Sequence, residues 1–309
     1  MKVLVTGGAG FIGSNVSKML LSKGVEVVVF DNLSSGNYDN IRDLNVQFIK
    51  GDILDKNAVK EACKGVDVLF HLAASVGRQR SIDHPQLDSE INLIGTINVL
   101  EGMRANGVKK IVYSSSAAIF GELLSPEIDE NHPQNADSPY GVSKLAAEKM
   151  ILSYADIYGT TAVCLRYFNI YGVNQRYDLY GNVIPIFAHR LFSGERLLIY
   201  GDGTQTRDFV NVYDVARANV MAGLEYGKSD VFNLGSGESI TINQLAKMMQ
   251  EISGIDNGIQ YLPERKADVK HCKANAKKVA EKMQFKTVVS LEKGLVEYIQ
   301  WYKNNIVDK

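Results

Sequence analysis

Tyr140 and Lys144, four apart in Y-G-V-S-K, are residue types that could transfer a proton. On a helix that spacing puts a phenol and an ammonium on one face. A free tyrosine has a pKa of about 10 and is a poor base at neutral pH. Bringing it to about 7 means stabilising the phenolate by roughly 4 kcal/mol. One ammonium within ~4–6 Å can supply part of this, and a second nearby positive charge adds to it. Ser138 and Pro139 supply a helix start, an N-cap followed by proline at the first helical position. Ser114, Ser115 and Ser116 end an apolar stretch. A hydroxyl there can orient or relay a substrate proton. Taken alone, the Tyr–Lys pair could equally sit on an ordinary amphipathic helix.

Upstream stands T-G-G-A-G-F-I-G, Thr6 to Gly13. Gly7, Gly10 and Gly13 fall between an apolar strand and a helical pattern. Glycine there permits a tight turn and a close backbone approach to a pyrophosphate. The helix amino terminus offers free N–H groups to the phosphates. The spacing is G-x-x-G-x-x-G rather than G-x-G-x-x-G, and a glycine turn by itself can be only a turn. Asp31 ends the second strand, 18 residues after Gly13. A carboxylate there can accept both ribose hydroxyls and repels a 2′-phosphate, which favours NAD over NADP. Its plainer role is to start the turn in D-N-L-S-S-G. Asp52, in G-D-I, is either a group on the adenine side or a helix N-cap. An oxidised nicotinamide would supply the second positive charge that the phenol needs.

The elements that must position these residues follow from apolar patterning. Strands are expected at Val3–Thr6, Val25–Phe30, Val46–Lys50, Val68–Leu72, Lys110–Ser114 and Ala162–Tyr167. Helices are expected at Phe11–Ser22, Lys56–Cys63, Ser89–Asn106 and Pro139–Tyr158. This alternation predicts an α/β fold with a parallel, doubly wound sheet. Carboxyl ends of its strands would carry the ligand crevice. After about Tyr171 the pattern loosens, with helices expected at Ile242–Ile252 and Leu291–Asn304. The expected division is a dinucleotide-binding domain over 1–170, rejoined by 207–230, and a smaller substrate domain over most of 171–309.

The chain has 309 residues, 34 basic against 35 acidic, and no block of like charge. Nucleic acid and anionic membrane are therefore not expected partners. The three cysteines, Cys63, Cys164 and Cys272, and the five histidines show neither disulfide nor metal-ligand spacing. The first strand starts at Lys2, which leaves no room for a signal peptide, and no apolar run has membrane-spanning length. A soluble cytoplasmic protein is expected.

Together these residues resemble the extended short-chain dehydrogenase/reductase superfamily, and within it the UDP-glucose/UDP-N-acetylglucosamine 4-epimerase branch. The resemblance is carried over essentially the whole chain by the motifs above together with H-L-A-A at His71 to Ala74, Asn92 in N-L-I-G-T, Y-S-S-S-A-A-I-F-G, L-R-Y-F-N-I-Y-G and T-R-D-F-V-N-V-Y-D. It implies a Rossmann fold, a bound NAD and a homodimer formed through the two long helices near Ser89–Asn106 and Pro139–Tyr158. By resemblance Tyr140 is the base, Lys144 binds ribose and tunes the phenol, and Ser116 completes the site. NAD would also be bordered by Phe11, Ile12, Asn32 and Ile53. Leu72, Ala73, Ala74, Asn92, Ser114 and Tyr167 would line the rest of its site. Asn169, Arg207 and Arg265 resemble the groups that hold a diphosphate, suited to it because guanidinium meets phosphate with paired hydrogen bonds. Asn182 with Val183, and Ile199 to Gly201 through Tyr200, resemble the strip beside uracil, and Asp268 resembles a ribose contact.

The implied reaction is 4-epimerisation of a UDP-hexose through a 4-keto sugar that turns over and is reduced on its opposite face. Related dehydratases carry an Asp-Glu pair, and related decarboxylases a Glu, where this chain has Ala117 and Ala118. Alanine cannot transfer protons. In relatives confined to UDP-glucose and UDP-galactose a Tyr stands at the place of Cys272, so the smaller thiol leaves room for N-acetylated UDP-hexosamines. Arg78 and Arg80 either reach an acidic sugar, as a UDP-glucuronate 4-epimerase requires, or are solvated loop charges. An NDP-sugar reductase and a non-catalytic dinucleotide sensor are the other readings, though mere sensing needs no tuned phenol.

Overall fold

Largely apolar runs, most of them buried on both faces, form the central sheet. In the computed structural model, which describes residues 1–178, 181–264 and 270–308, six of these runs pair in parallel. They are β1 (Lys2–Thr6), β2 (Glu26–Asp31), β3 (Gln47–Lys50), β4 (Val68–His71), β5 (Lys110–Ser116) and β6 (Thr161–Tyr167). A seventh strand, β7 (Asp230–Leu234), joins beside β6, giving the order β7-β6-β5-β4-β1-β2-β3. The order reverses at β1, which is the doubly wound arrangement that the sequence predicts. β7 itself was not among the expected strands. It has five residues, two of them only half-buried, and runs into the Gly235–Gly237 turn, so its apolar signal is short.

The connecting helices are α1 (Phe11–Ser22), α2 (Lys56–Ala62), α3 (Gly95–Asn106), α4 (Pro139–Tyr158) and α5 (Val212–Leu224). The helix expected over Ser89–Asn106 is not continuous. Pro85–Ser89 is α-helical, Glu90–Ile94 makes one π-helical turn, and α3 follows. Such bulges frequently mark functional sites, and this one carries Asn92. α4 starts as its sequence requires: the Ser138 side chain accepts from the Gly141 N–H, Pro139 follows, and Gly159 closes the helix at φ +63°.

The chain divides into two compact units. The first comprises Met1–Gly121, Pro133–Tyr167 and Val215–Phe232. Its core packs Leu4, Val28, Leu69, Val99, Ile111 and Ile151 between sheet and helices. The second comprises Glu122–His132, Phe168–Asp214 and Asn233–Lys309. Its helices Val183–Phe192, Ile242–Ser253 and Leu291–Tyr302 pack Phe187, Leu245, Met249 and Leu295 into a core of their own. A capping box of Thr241 and Gln244 sets the start of the middle one.

Candidate active site

The glycine turn between β1 and α1 is built so that side chains cannot enter it. Gly7 has φ +67°, and a Cβ there would lie 2.6 Å from the Ala73 nitrogen. A Cβ on Gly13 would lie 2.1 Å from the Gly7 carbonyl oxygen. The H-L-A-A tip thus packs on the turn, with the Leu72 N–H bonded to the Thr6 carbonyl. Gly10 begins α1 with no side-chain cap, and the first turn carries no acidic residue. Phe11, Ile12 and Gly13 therefore sit where a helix amino terminus can receive an anion. This cradle fits a dinucleotide pyrophosphate.

Asp31 is buried at the end of β2. Its carboxylate accepts from the Ala9 N–H at 2.9 Å and from the Leu33 N–H at 2.8 Å. The turn-starting role is thus realised, and a second oxygen is tied to the glycine turn itself. Neither bond exhausts a carboxylate, which offers about four lone-pair sites. Asn32 donates to Asp52 at 2.9 Å, across the ends of β2 and β3. The N-cap alternative for Asp52 is corrected: the cap of α2 is Asp55, which accepts from Asn57 and Ala58, while Asp52 accepts from Leu54. Ile53 is buried against Gly95, where a Cβ would lie 2.5 Å from its terminal carbon.

The Tyr–Lys pair stands on α4 beside the end of β5. Tyr140 is half-buried and Lys144 is buried. The Ser116 side chain lies close enough to the Tyr140 phenol to favour the phenolate. Burial outweighs this and, with the Asp88 charge, pushes the phenol above its ordinary value. Burial likewise pulls the Lys144 ammonium down to about 7, against the opposing charges of Asp88 and Glu148. The protein's own groups thus hold the phenol above its ordinary value rather than making it acidic. Ser116 also caps a short 3₁₀ turn by accepting from the Ala118 N–H. That turn, Ala117–Phe120, holds Ala117 and Ala118 just beyond the reactive hydroxyl.

Several partners were invisible in sequence. Asn92 donates to the Ser75 carbonyl, to Asp88 and to Ser143, and its own carbonyl accepts from the Ser75 N–H. Buried His71 bridges Thr6, at 2.7 Å, and Thr96, at 2.9 Å. Thr96 donates onward to the Asn92 carbonyl, and Thr6 accepts from the Ala73 N–H. That direction fixes the imidazole with its proton on Nε2. Burial holds His71 neutral, with its pKa down at about 3. Ser114 hydrogen-bonds Tyr167, whose hydroxyl also meets Asn219 on α5. Of these, only Asn219, a polar residue on the largely apolar buried face of α5, could have been signalled in sequence.

In the second unit Asn169 donates to the Asp208 carbonyl. Asn182 stands at the start of Val183–Phe192, which lacks a side-chain cap, and donates to the Ile170 carbonyl. Val183 is the first residue of that helix. The Ile199 side chain is buried in the core, because strand alternation turns it inward. Tyr200 and Gly201 instead line a cavity of about 270 Å³ together with Asp202, Gln205, Glu264 and His271. Arg207 is half-buried, bonded to the Thr206 carbonyl, and close enough to Cys272 to act on its thiol. Burial pushes that thiol up to about 12, so it is neutral. Asp208, buried beneath, accepts from the N–H groups of Ser236, Gly237 and Ala274 and so sets the backbone beside both residues. Arg265 and Asp268 lie outside the described residues. Arg78 is ion-paired with Asp137 at 2.7 Å. Among the described residues no His/Cys/Asp/Glu group is arranged to hold a metal, and no helix is long and apolar enough to cross a membrane.

A profile described as the NAD dependent epimerase/dehydratase family matches residues 3–235. The crystal structure of UDP-glucose 4-epimerase from Thermotoga maritima with UDP-glucose is 38% identical, covers 99% of this chain and 100% of that one, and superposes with a TM-score of 0.94. UDP-N-acetylglucosamine 4-epimerase from Methanobrevibacter ruminantium, in complex with UDP-N-acetylmuramic acid, is 34% identical, with 99% of both chains covered and a TM-score of 0.94. The UDP-glucuronate 4-epimerase of Thermodesulfobacterium geofontis is 33% identical over 98% of this chain and 96% of its own. With a glycine cradle for a dinucleotide, a strand-end serine on a Tyr–Lys helix and these relatives along its whole length, the chain belongs to the NAD dependent epimerase/dehydratase family.

Proposed function

We propose that the protein interconverts the 4-epimers of a UDP-hexose, retaining NAD through the cycle. The feature that carries this reading is the Ser116 hydroxyl beside the Tyr140 phenol, one helical turn from Lys144, with Ala117 and Ala118 where other reactions need acids. The Gly7–Gly13 turn, the α1 terminus and Asp31 would hold the dinucleotide. When bound, NAD supplies the oxidising and reducing equivalent. Tyr140 takes the proton of the sugar 4-hydroxyl and later returns it. Ser116 holds the same oxygen, and Lys144 stabilises the phenolate that accepts the proton. Asn169, Asn182 and Arg207 hold the diphosphate side, and Tyr200 and Gly201 border the base. A firmly held nucleotide leaves the sugar free to turn over. We place the protein in the cytoplasm as a homodimer, with its long helices at the contact.

The test is a panel of UDP-sugars incubated with purified protein and no added cofactor, read by NMR for each 4-epimer. Conversion of UDP-galactose is expected. Reaction only on addition of NAD(P)H would establish a reductase instead, and neither outcome would leave a sensor. Asp31→Ala is expected to weaken NAD retention about 10–100-fold, the scale of losing charged hydrogen bonds. NAD recovered after denaturation measures it, and undiminished recovery would count against ribose recognition by Asp31.

Cys272 favours a wider substrate range. Its small neutral thiol stands near Arg207 and is less bulky than the tyrosine of relatives confined to UDP-glucose and UDP-galactose. Turnover of UDP-GlcNAc is expected to fall at least ~10-fold in Cys272→Tyr while UDP-glucose turnover persists, the scale of steric exclusion in a pocket. Equal UDP-GlcNAc rates in the two proteins would defeat this reading. The Arg78–Asp137 ion pair weighs against Arg78 serving an acidic sugar.

A further inference from the structure

Behind the reactive pair lies an aromatic ring that the proposed chemistry leaves unexplained. Tyr113 is the fourth residue of β5 and is 1% exposed. Among the described residues its hydroxyl has no hydrogen-bond partner. A buried phenol normally finds one. The ring does have partners. The Lys144 Nζ lies over its face, 4.4 Å from the centroid, and the His71 imidazole stacks at 5.7 Å. An ammonium within about 6 Å of an aromatic face is attracted by the ring quadrupole, and most strongly when both are out of water.

We propose that the face of the Tyr113 ring is the seat of the Lys144 ammonium, keeping it charged and in reach of Tyr140, which makes Tyr113 a positioning residue for the reaction. The inference deepens the function proposed above, since it rests on Lys144 tuning Tyr140. The groups facing Lys144 make such a seat necessary. Asp88, from the helix before the π turn, and Glu148, one turn further along α4, favour the cation. Cys164 on β6 and Tyr140 on α4 are neutral acids at pH 7, and His71 on β4 is neutral, so none supplies a full charge. Burial meanwhile opposes the cation more than any single group supports it. The ring adds an attractive contact without adding a titrating charge. Its hydroxyl contributes nothing to the seat.

The test separates ring from hydroxyl. Protein with ¹³C-labelled lysine side chains is titrated by NMR, the Lys144 resonance being the one missing from Lys144→Arg. Tyr113→Phe keeps the face and removes only an orphan hydroxyl, so Lys144 is expected to titrate as in the wild type. Tyr113→Met fills similar space without a π face, and Lys144 is expected to lose its proton about one pH unit lower, a tenfold shift. The pH range of activity on UDP-galactose is expected to narrow in Tyr113→Met alone. An unmoved Lys144 titration in Tyr113→Met would overturn the seat, and so would a shift in Tyr113→Phe. The second criterion stands even if the methionine variant fails to fold. A protein inactive on every UDP-sugar with the Lys144 shift intact would defeat the function and leave the seat standing. Activity with no shift would do the reverse.

Discussion

Tyr140→Phe is expected to lower turnover at least ~100-fold, the usual scale for losing a positioned acid–base group. Phenylalanine keeps the ring and its packing, so only the oxygen is lost. That oxygen is the one that Ser116 stands beside. α4 is capped by Ser138 and closed at Gly159, both apart from the phenol, so the helix should persist. The glycine cradle draws nothing from it, and NAD content should be retained. Near-normal turnover in the variant would mean that another group moves the proton.

Arg166→Met is expected to destabilise the protein by about 3–5 kcal/mol, because it strands a buried carboxylate. Arg166 and Glu148 are each at most 2% exposed in their side chains and meet at 2.7 Å. A second contact runs from Arg166 Nε to Glu148 at 3.1 Å, and Ser115 donates to the same carboxylate at 2.6 Å. The cluster joins β5, β6 and α4 one turn beyond Lys144. It therefore holds the serine-bearing strand against the Tyr–Lys helix. Removing both charges in Arg166→Met with Glu148→Met is expected to recover part of the loss, since apolar replacements of a buried pair are often tolerated. Denaturant midpoints of the single and double variants measure this. A single variant within 1 kcal/mol of the wild type would show that the carboxylate finds water or another partner.

The two motifs that anchor the proposal were legible because their chemistry demands particular residue types at short, fixed spacings. Gly7 and Gly13 admit no side chain, and Tyr140 and Lys144 must share a helix face. The parallel sheet was legible from its apolar strands. What escaped was set by contacts distant in sequence. Asn219 meets Tyr167 across 52 residues, and Ser143 meets Asp88 across 55. The break at Glu90–Ile94 escaped too, since E-I-N-L-I fits an unbroken helix as well as a bulged one. For Ile199 the motif gives the backbone's place and not the side chain's direction, which alternation turns into the core.

The most direct test is a pH titration of phenolate absorbance in protein carrying NAD. Burial pushes other phenols, Tyr113, Tyr167, Tyr171 and Tyr298 among them, above their ordinary value. One phenol is expected to ionise near neutral pH, and that early step should vanish in Tyr140→Phe. Superimposable curves for the two proteins would contradict the assignment of Tyr140 as the base.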